Sequence, residues 1–490
     1  MKKLSGLNPF WSYDIIDENL SDLSVTVNKP RREEDVLTFD APWEGNGTDF
    51  GSIVKEDGFY RFYYETWSDD NWYDPKAPFC IHVCYAESKD GINWVKPSLG
   101  LVEIDGSTDN NVIIESIPDN ITVMKDENPN CPPDMKYKAV MSMVETDYRD
   151  GNRSNVLGLS VSSDGINFRH HSVISRGHAY DTQNTLHYDK YKNKYFCYIR
   201  SYEKRDPSKS SDPRMNEENI RHIRVMESTD LVNWSEPALL DFGDVEDYPL
   251  YTNCVCKYPY DDRYYIGFPT RYVERRDWSE SYDSLCGKEL RKKRIGVQKR
   301  LGLALSDCLF MSSTDGFHYH RFEEATLTSG PEMEKNWVYG DCFPSVGQPI
   351  ITPSKVKGAP DELSIYVFGH HWMDVPSVLT RYVYRKDGFA SVKASYKGGK
   401  IVTKPFVFEG SSLSLNMSTS ARGGIYVRVL DENGNAIEGY SSSELFGDTV
   451  NKPVVFPLSL SDLQGKTVRF EFIMKDAELY SMTLEMCNNE

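Results

Sequence analysis

Apolar and polar residues alternate in short runs along most of the chain. Clear examples are Tyr60-Arg61-Phe62-Tyr63-Tyr64-Glu65, Lys136-Tyr137-Lys138-Ala139-Val140-Met141 and Tyr195-Phe196-Cys197-Tyr198-Ile199-Arg200. Tyr264-Tyr265-Ile266-Gly267-Phe268 and Leu363-Ser364-Ile365-Tyr366-Val367-Phe368 follow the same rule. Period two, aromatic and β-branched side chains and a length of a few residues predict strands, and no comparable helical period competes. One short phrase punctuates them: Ser88-Lys89-Asp90-Gly91-Ile92-Asn93-Trp94, Ser163-Asp164-Gly165-Ile166-Asn167-Phe168, Ser228-Thr229-Asp230-Leu231-Val232-Asn233-Trp234 and Ser313-Thr314-Asp315-Gly316-Phe317-His318-Tyr319. A degraded copy, Lys386-Asp387-Gly388-Phe389, ends the series. Asp-Gly favours a tight turn, because Gly accepts positive φ and Asp bonds nearby backbone. Each copy therefore predicts a hairpin between the two outer strands of a small sheet.

A phrase repeated at a long, nearly regular interval marks repeated supersecondary units. Five such units, each an inner strand, an aromatic second strand and a hairpin, predict a five-bladed β-propeller over residues 40–393. Residues 1–39 are expected to form an N-terminal extension. Beyond 393 the phrase stops and short alternating strands take over, among them Phe406-Val407-Phe408, Ile425–Leu430 and Val468–Phe472. Residues 394–490 are thus expected to form a β-sandwich, giving an all-β, propeller-plus-sandwich chain.

Charge narrows the partners. A net charge of −18 disfavours nucleic acid and anionic membrane surfaces, and no run is long enough to span a membrane. The first residues lack the apolar core of a signal peptide, so a cytoplasmic location is expected unless a leader was trimmed. Ten Cys without a CxxC pair fit buried free thiols, Cys254 and Cys256 sharing a strand face. Lys288–Arg300 is a basic excursion, expected as a solvated face or a subunit contact, which keeps a homo-oligomer open. No phosphate-cradling loop, HExxH or GxSxG is present.

Inner strands of a propeller converge on an axial channel, so polar residues at their starts are the site candidates. The carboxylates there are Asp49, Asp119, Asp181, Glu246, Asp247 and Asp341. Converging carboxylates push one another's pKa values apart, which is what paired acid and base work on a glycosidic bond requires. Trp43, Tyr251, Trp337 and Trp372 are candidates to stack on a sugar face. Gln183, Asn184, Asn253, Arg200 and Arg271 are candidates for its hydroxyls. Of His370 and His371, one is expected to face the channel, to hold water or a cation. No cofactor is expected, although a structural cation in the channel is compatible with the pattern.

The aromatic blades and Ser-x-Asp-Gly-x-x-Trp hairpins resemble the five-bladed propeller glycoside hydrolases, such as families 32, 43, 68 and 130. The added sandwich is most similar to that of family 32. That resemblance implies a carbohydrate substrate and three acids: Asp49 as nucleophile or base, Asp181 as orienting acid, and Asp247 or Glu246 as proton donor. It implies hydrolysis releasing a terminal sugar, a furanoside such as fructose or arabinose included. A phosphorylase, with Arg200, Arg271 and His370 or His371 around phosphate, and a non-catalytic sugar-binding propeller are the rivals. Family 32's Trp-Met-Asn-Asp-Pro-Asn-Gly and Glu-Cys motifs are absent, and its Arg-Asp-Pro occurs as Arg205-Asp206-Pro207.

Overall fold

The computed structural model describes residues 3–74, 76, 80–115, 119–146, 153–204, 208 and 219–485. These divide into two units: residues 31–352 with 364–383, and residues 1–30, 353–363 and 384–490.

The first unit is a five-bladed propeller. Blade I orders Asp49–Lys55, Tyr60–Thr66, His82–Ser88 and Trp94–Val95. Blade II orders Asp119–Lys125, Tyr137–Thr146, Arg153–Ser162 and Arg169–Arg176. Blade III orders Thr185–Asp189, Lys194–Lys204, Asn219–Ser228 and Ala238–Leu239. Blade IV orders Cys256–Lys257, Tyr265–Gly267, Met311–Ser313 and His320–Arg321, with a separate ribbon of Thr270–Glu274 on Ala304–Cys308. Blade V runs from Phe343–Pro344 through Glu362–Gly369 to Ser377–Arg385.

The outermost strand of blade V is Arg31–Phe39, paired antiparallel to Ser377–Arg385. Residues 1–39 therefore do not form one extension. Their last stretch completes a blade, because a ring closed by strands from both ends of the chain leaves no unpaired blade edge. The fifth copy of the phrase differs accordingly. Asp387 follows the third strand of blade V but leads to Ala390–Ala394, which pairs with Val25–Val27 in the second unit.

The other four copies share one geometry. In the fourth, Asp315 accepts from the backbone N–H of Phe317 (2.9 Å) and His318 (2.8 Å), and Ser313 Oγ accepts from Gly316 N–H (2.9 Å). Three turns are also latched to the preceding blade: Tyr366, Tyr63 and Tyr198 hydroxyls donate to the carbonyls of Gly91, Gly165 and Gly316. A Cβ on Gly316 would lie 2.8 Å from the Tyr198 hydroxyl, so the latch requires Gly there. At Leu231 no such tyrosine arrives among the described residues, and the side chain joins the apolar cluster of Val140 and Tyr188.

Burial raises these carboxylates, but hydrogen bonds hold Asp90 and Asp315 at about 2: for Asp90 from the Asn93 amide and side chain, and for Asp315 from the His318 side chain and then the Phe317 and His318 amides. A lowered folded pKa contributes stability above the ordinary carboxylate pKa and loses it as pH falls toward about 2. Replacing Asp315 by Ala is expected to cost about 1–2 kcal/mol at pH 7, reduced by its partial exposure. The measurement is urea unfolding at pH 7 and pH 2.5, and the difference from wild type shrinks at the lower pH.

The second unit is a single ten-stranded network built on two long strands, Ser412–Asp431 and Thr467–Glu485. Leu413, Leu415, Met417, Ile425, Val427, Phe470 and Phe472 are buried along them. The N-terminal strands Lys3–Leu4, Gly6–Pro9 and Val25–Val27 belong to this network. Sequence separation hid that pairing, since the partners lie nearly a whole chain apart. Among the described residues no helix is long and apolar enough to cross a membrane.

Candidate active site

The inner strands neighbour one another around the ring, and those of blades V and I are bonded through Ile53 N–H to Val346 carbonyl (2.7 Å) and Val346 N–H to Gly51 carbonyl (2.6 Å). At their starts one backbone device recurs. Asp49, Asp119, Asn253 and Asp341 are each followed by a non-glycine residue with left-handed φ: Phe50 (47°), Asn120 (50°), Cys254 (43°) and Cys342 (62°). The ladder register shifts across the first two of these. Such conformations are costly for Phe and Cys and persist only where the surroundings fix them. Phe50 is fixed by stacking on Phe343 (5.6 Å) and Tyr251 (6.4 Å).

Three carboxylates gather on blades I and II. Asp49 stands opposite Glu65 in the strand register, 2% and 1% exposed, and Asp119 is the third. Burial first, and then the negative charge of Asp119, hold the protons of Asp49 and Glu65 well above the usual carboxylate range. Burial raises Asp119 as well, but the Arg200 guanidinium and the Asn120 amide restrain it to about 7. Asp119 is thus the first of the three to ionise. Glu65 accepts from Asn120 N–H at 2.5 Å, whereas Asp49 Oδ1 is buried without a hydrogen bond. His371 lies 3.6 Å from Asp49 and is pushed down to about 3 by burial and Arg294, so it faces Asp49 as a neutral imidazole.

An aromatic wall adjoins the acids. Tyr251, Tyr272, Tyr339 and Trp372 pack with centroids 4.8–5.9 Å apart. Arg200 lies 5.1 Å and Arg221 5.5 Å from the Tyr251 ring. The basic excursion contributes as well, contrary to the expected solvated face. It forms helix α2 (Lys288–Ile295) and the start of α3 (Lys299–Leu303), after a short helix α1 (Glu280–Ser284) that precedes it. Arg294 of α2 is 1% exposed, 3.9 Å from Asp69 and over Trp372, while Arg300 lies over Tyr339. Desolvated guanidinium groups find aromatic faces here in place of water.

The remaining candidates scatter. Asp181 alone stays beside the cluster, half exposed and ion-paired with the buried Arg200 that also acts on Asp119. Asp247 lies 3.8 Å from His222. Trp43 is a packing residue of the blade I core, donating to Asn111 Oδ1 (2.9 Å). Gln183 and Asn253 serve the ring itself: Asn253 Nδ2 donates to Gln183 carbonyl and Gln183 Nε2 to Gly51 carbonyl, both at 2.9 Å. Amides bonding across blades replace ladder bonds where the inner strands of blades III and IV are short. Asn184 turns back onto the Tyr180 and Thr182 carbonyls. Asp341 is buried, accepts from Val338 N–H, and is raised by burial to about 6. His370 has a left-handed φ of 60° and is half-buried. Glu246, Arg271 and Trp337 line a separate cavity. Arg205, Asp206 and Pro207 lie outside the described residues.

Glu65, Arg221, Tyr339 and Arg294 were not singled out from the sequence. For Glu65 a signal existed: it ends an alternating strand whose hairpin register places it opposite Asp49. Among the described residues no group of three His, Cys, Asp or Glu side chains is arranged to hold a metal ion.

No family model and no curated protein matches the chain. Several solved structures are similar to it. An N-acetylgalactosamine deacetylase from F. plautii shares 12% identity over 94% of this chain and 95% of that one, at TM-score 0.40. A Bombyx mori family 32 β-fructofuranosidase shares 10% over 94% and 95%, at 0.39. A structure from the family 130 mannoside phosphorylases, which include glycoside hydrolases that target β-1,2 mannosidic linkages in Candida mannan, shares 13% over 79% and 97%, at 0.40.

Proposed function

We propose that the chain is a glycoside hydrolase that releases a terminal sugar from an oligosaccharide by carboxylate acid–base chemistry. The carrying observation is the buried Asp49–Glu65–Asp119 cluster with its staggered proton affinities. Two carboxyl groups of unlike protonation are the requirement for cleaving a glycosidic bond. Asp119, steadied by Arg200, is the ionised partner that attacks or activates water. Asp49 keeps its proton and has an unengaged Oδ1, so it is the donor to the leaving oxygen, reversing the base role first expected of it. Glu65 couples the two. Tyr251 and its neighbours supply the apolar sugar face. The proton travels from Asp49 to the departing oxygen as the bond to the anomeric carbon breaks. Water supplies the replacement hydroxyl, and its proton passes through the carboxylates.

The phosphate reading is less well supplied. Arg271 is committed to a bidentate pair with Asp307 (2.9 and 2.6 Å), and His371 is neutral. The test is a screen of aryl glycosides and short oligosaccharides, furanosides included, with and without phosphate, on wild type and Asp49→Asn. Turnover without phosphate, reduced about 10²-fold or more in the variant, is expected. Phosphate-dependent turnover moves the assignment to phosphorolysis. Saturable sugar binding without any turnover makes the propeller a binding module.

A further inference from the structure

The blade IV ribbon separates two environments. Its register sets Arg271 opposite Asp307, Tyr272 opposite Ser306 and Val273 opposite Leu305. Side chains alternate across a strand pair, so Arg271, Asp307, Val273 and Leu305 share one face and Tyr272 occupies the other. The Tyr272 face belongs to the aromatic wall beside the acids, with ring centroids 5.9 Å from Tyr251 and 5.5 Å from Tyr339. The Arg271 face opens on a cavity of about 250 Å³, which Glu246, Tyr248, Arg275 and Trp337 also line.

Its walls are built for a polar guest. The buried Tyr248 hydroxyl has Glu323 and Arg271 as polar neighbours, but none in hydrogen-bond geometry, and Arg275 Nε is likewise buried without a hydrogen bond. Tyr248 is 6% exposed, its ring held between the guanidinium groups of Arg321 (4.2 Å) and Arg271 (5.3 Å). A buried hydroxyl left unpaired is destabilising until an acceptor reaches it. Arg271 and Asp307 form a planar bidentate pair, a rigid edge that presents donors and acceptors together. Trp337 is anchored through its indole N–H to Gly330 carbonyl (2.9 Å), on a backbone with φ of 60°. A bulky residue in that region is held by its surroundings, as is common where a site is pre-organised. The charged residues that line the cavity balance, Arg271 and Arg275 against Asp307 and Glu246.

We propose that this cavity is a second sugar-binding site, taking one neutral monosaccharide unit against Trp337, on the ribbon face opposite the acid cluster. Electroneutral walls with mixed donors and acceptors beside an indole suit a hydroxyl-bearing ring and disfavour a net-charged ligand. The proposal rests on the glycoside reading for its choice of ligand class, and it reassigns Glu246, Arg271 and Trp337 from the catalytic mouth.

The experiment is isothermal titration of the full chain carrying Asp119→Asn, so that binding is read without turnover. The probes are glucose, galactose, mannose, arabinose and fructose, their disaccharides, and glucuronate as the charged control. At least one neutral sugar is expected to bind, and adding Trp337→Ala removes one site per chain. Tyr248→Phe, a change too small to endanger folding, weakens the same site about 10-fold. Unchanged stoichiometry and affinity in both variants, absence of neutral-sugar binding, or preference for glucuronate overturns the proposal. The hydrolase reading is judged separately, by aryl glycoside turnover in wild type, so either can fail alone.

Discussion

Asp119→Asn is expected to lower kcat/KM about 10³-fold, and wild-type kcat/KM to rise with pH through about 7. Asp119 is the one carboxyl of the cluster whose proton leaves near neutrality, because Arg200 and the Asn120 amide oppose the effect of burial. In the proposed mechanism its ionised form is the active one, so the rate is expected to grow as that proton is lost and to fall again once Asp49 deprotonates at higher pH. General acid–base groups contribute about 10²–10⁴-fold, and a nucleophilic role adds to that. Removing the Arg200 charge by Arg200→Met is expected to move the acid limb upward, since the guanidinium is what lowers Asp119. A pH series of kcat/KM on the best aryl glycoside decides it. An acid limb that stays near 7 in Asp119→Asn, with the rate intact, assigns the titration to another group.

The blade count was legible because turn chemistry is local. A serine and an aspartate two residues apart, with glycine next in three copies and Leu231 in the other, fix the hairpin whatever surrounds it, and four copies have the same hydrogen bonds. The fifth copy misled because Asp387 lies where the chain leaves the ring, and only the distant Arg31–Phe39 strand tells the two cases apart. The candidate cluster was partly legible. Asp49 and Asp119 follow from the starts of inner strands, but the kinks that aim them fall at Phe50 and Asn120, and Phe has no local preference for left-handed backbone. The burial of Arg294 was hidden for a related reason. Arg291 and Arg294 share one face of α2, yet a run of Lys and Arg reads as solvated until the aromatic wall that receives it is known. Gln183 and Asn253 show the converse: amide-bearing residues at a channel mouth suit sugar hydroxyls and inter-blade bonds equally well from sequence.

Charge strain at the cluster makes a second large effect, with opposite signs for activity and stability. Glu65→Gln is expected to lower turnover about 10²-fold and to raise the propeller's melting temperature at pH 8 by about 2 °C or more. Glu65 is buried beside Asp119 and Asp49, and its folded pKa stands well above the ordinary value of 4.5. A folded pKa raised in this way favours the folded state fully below pH 4.5, and the contribution is lost as pH rises through the folded value. At pH 8 the wild type therefore bears the cost of burying a carboxyl that ionises freely in the unfolded chain, a cost Gln lacks, while the Gln oxygen still accepts from Asn120 N–H. Below pH 4.5 both side chains are neutral and the two melting temperatures converge. Calorimetry at pH 4 and pH 8 separates this from simple packing damage. A melting temperature that falls equally at both pH values makes Glu65 a structural acceptor for Asn120 and removes the argument for a strained proton-sharing cluster. A gain confined to pH 8 with activity lost is the trade that sites built from like charges impose on the fold around them.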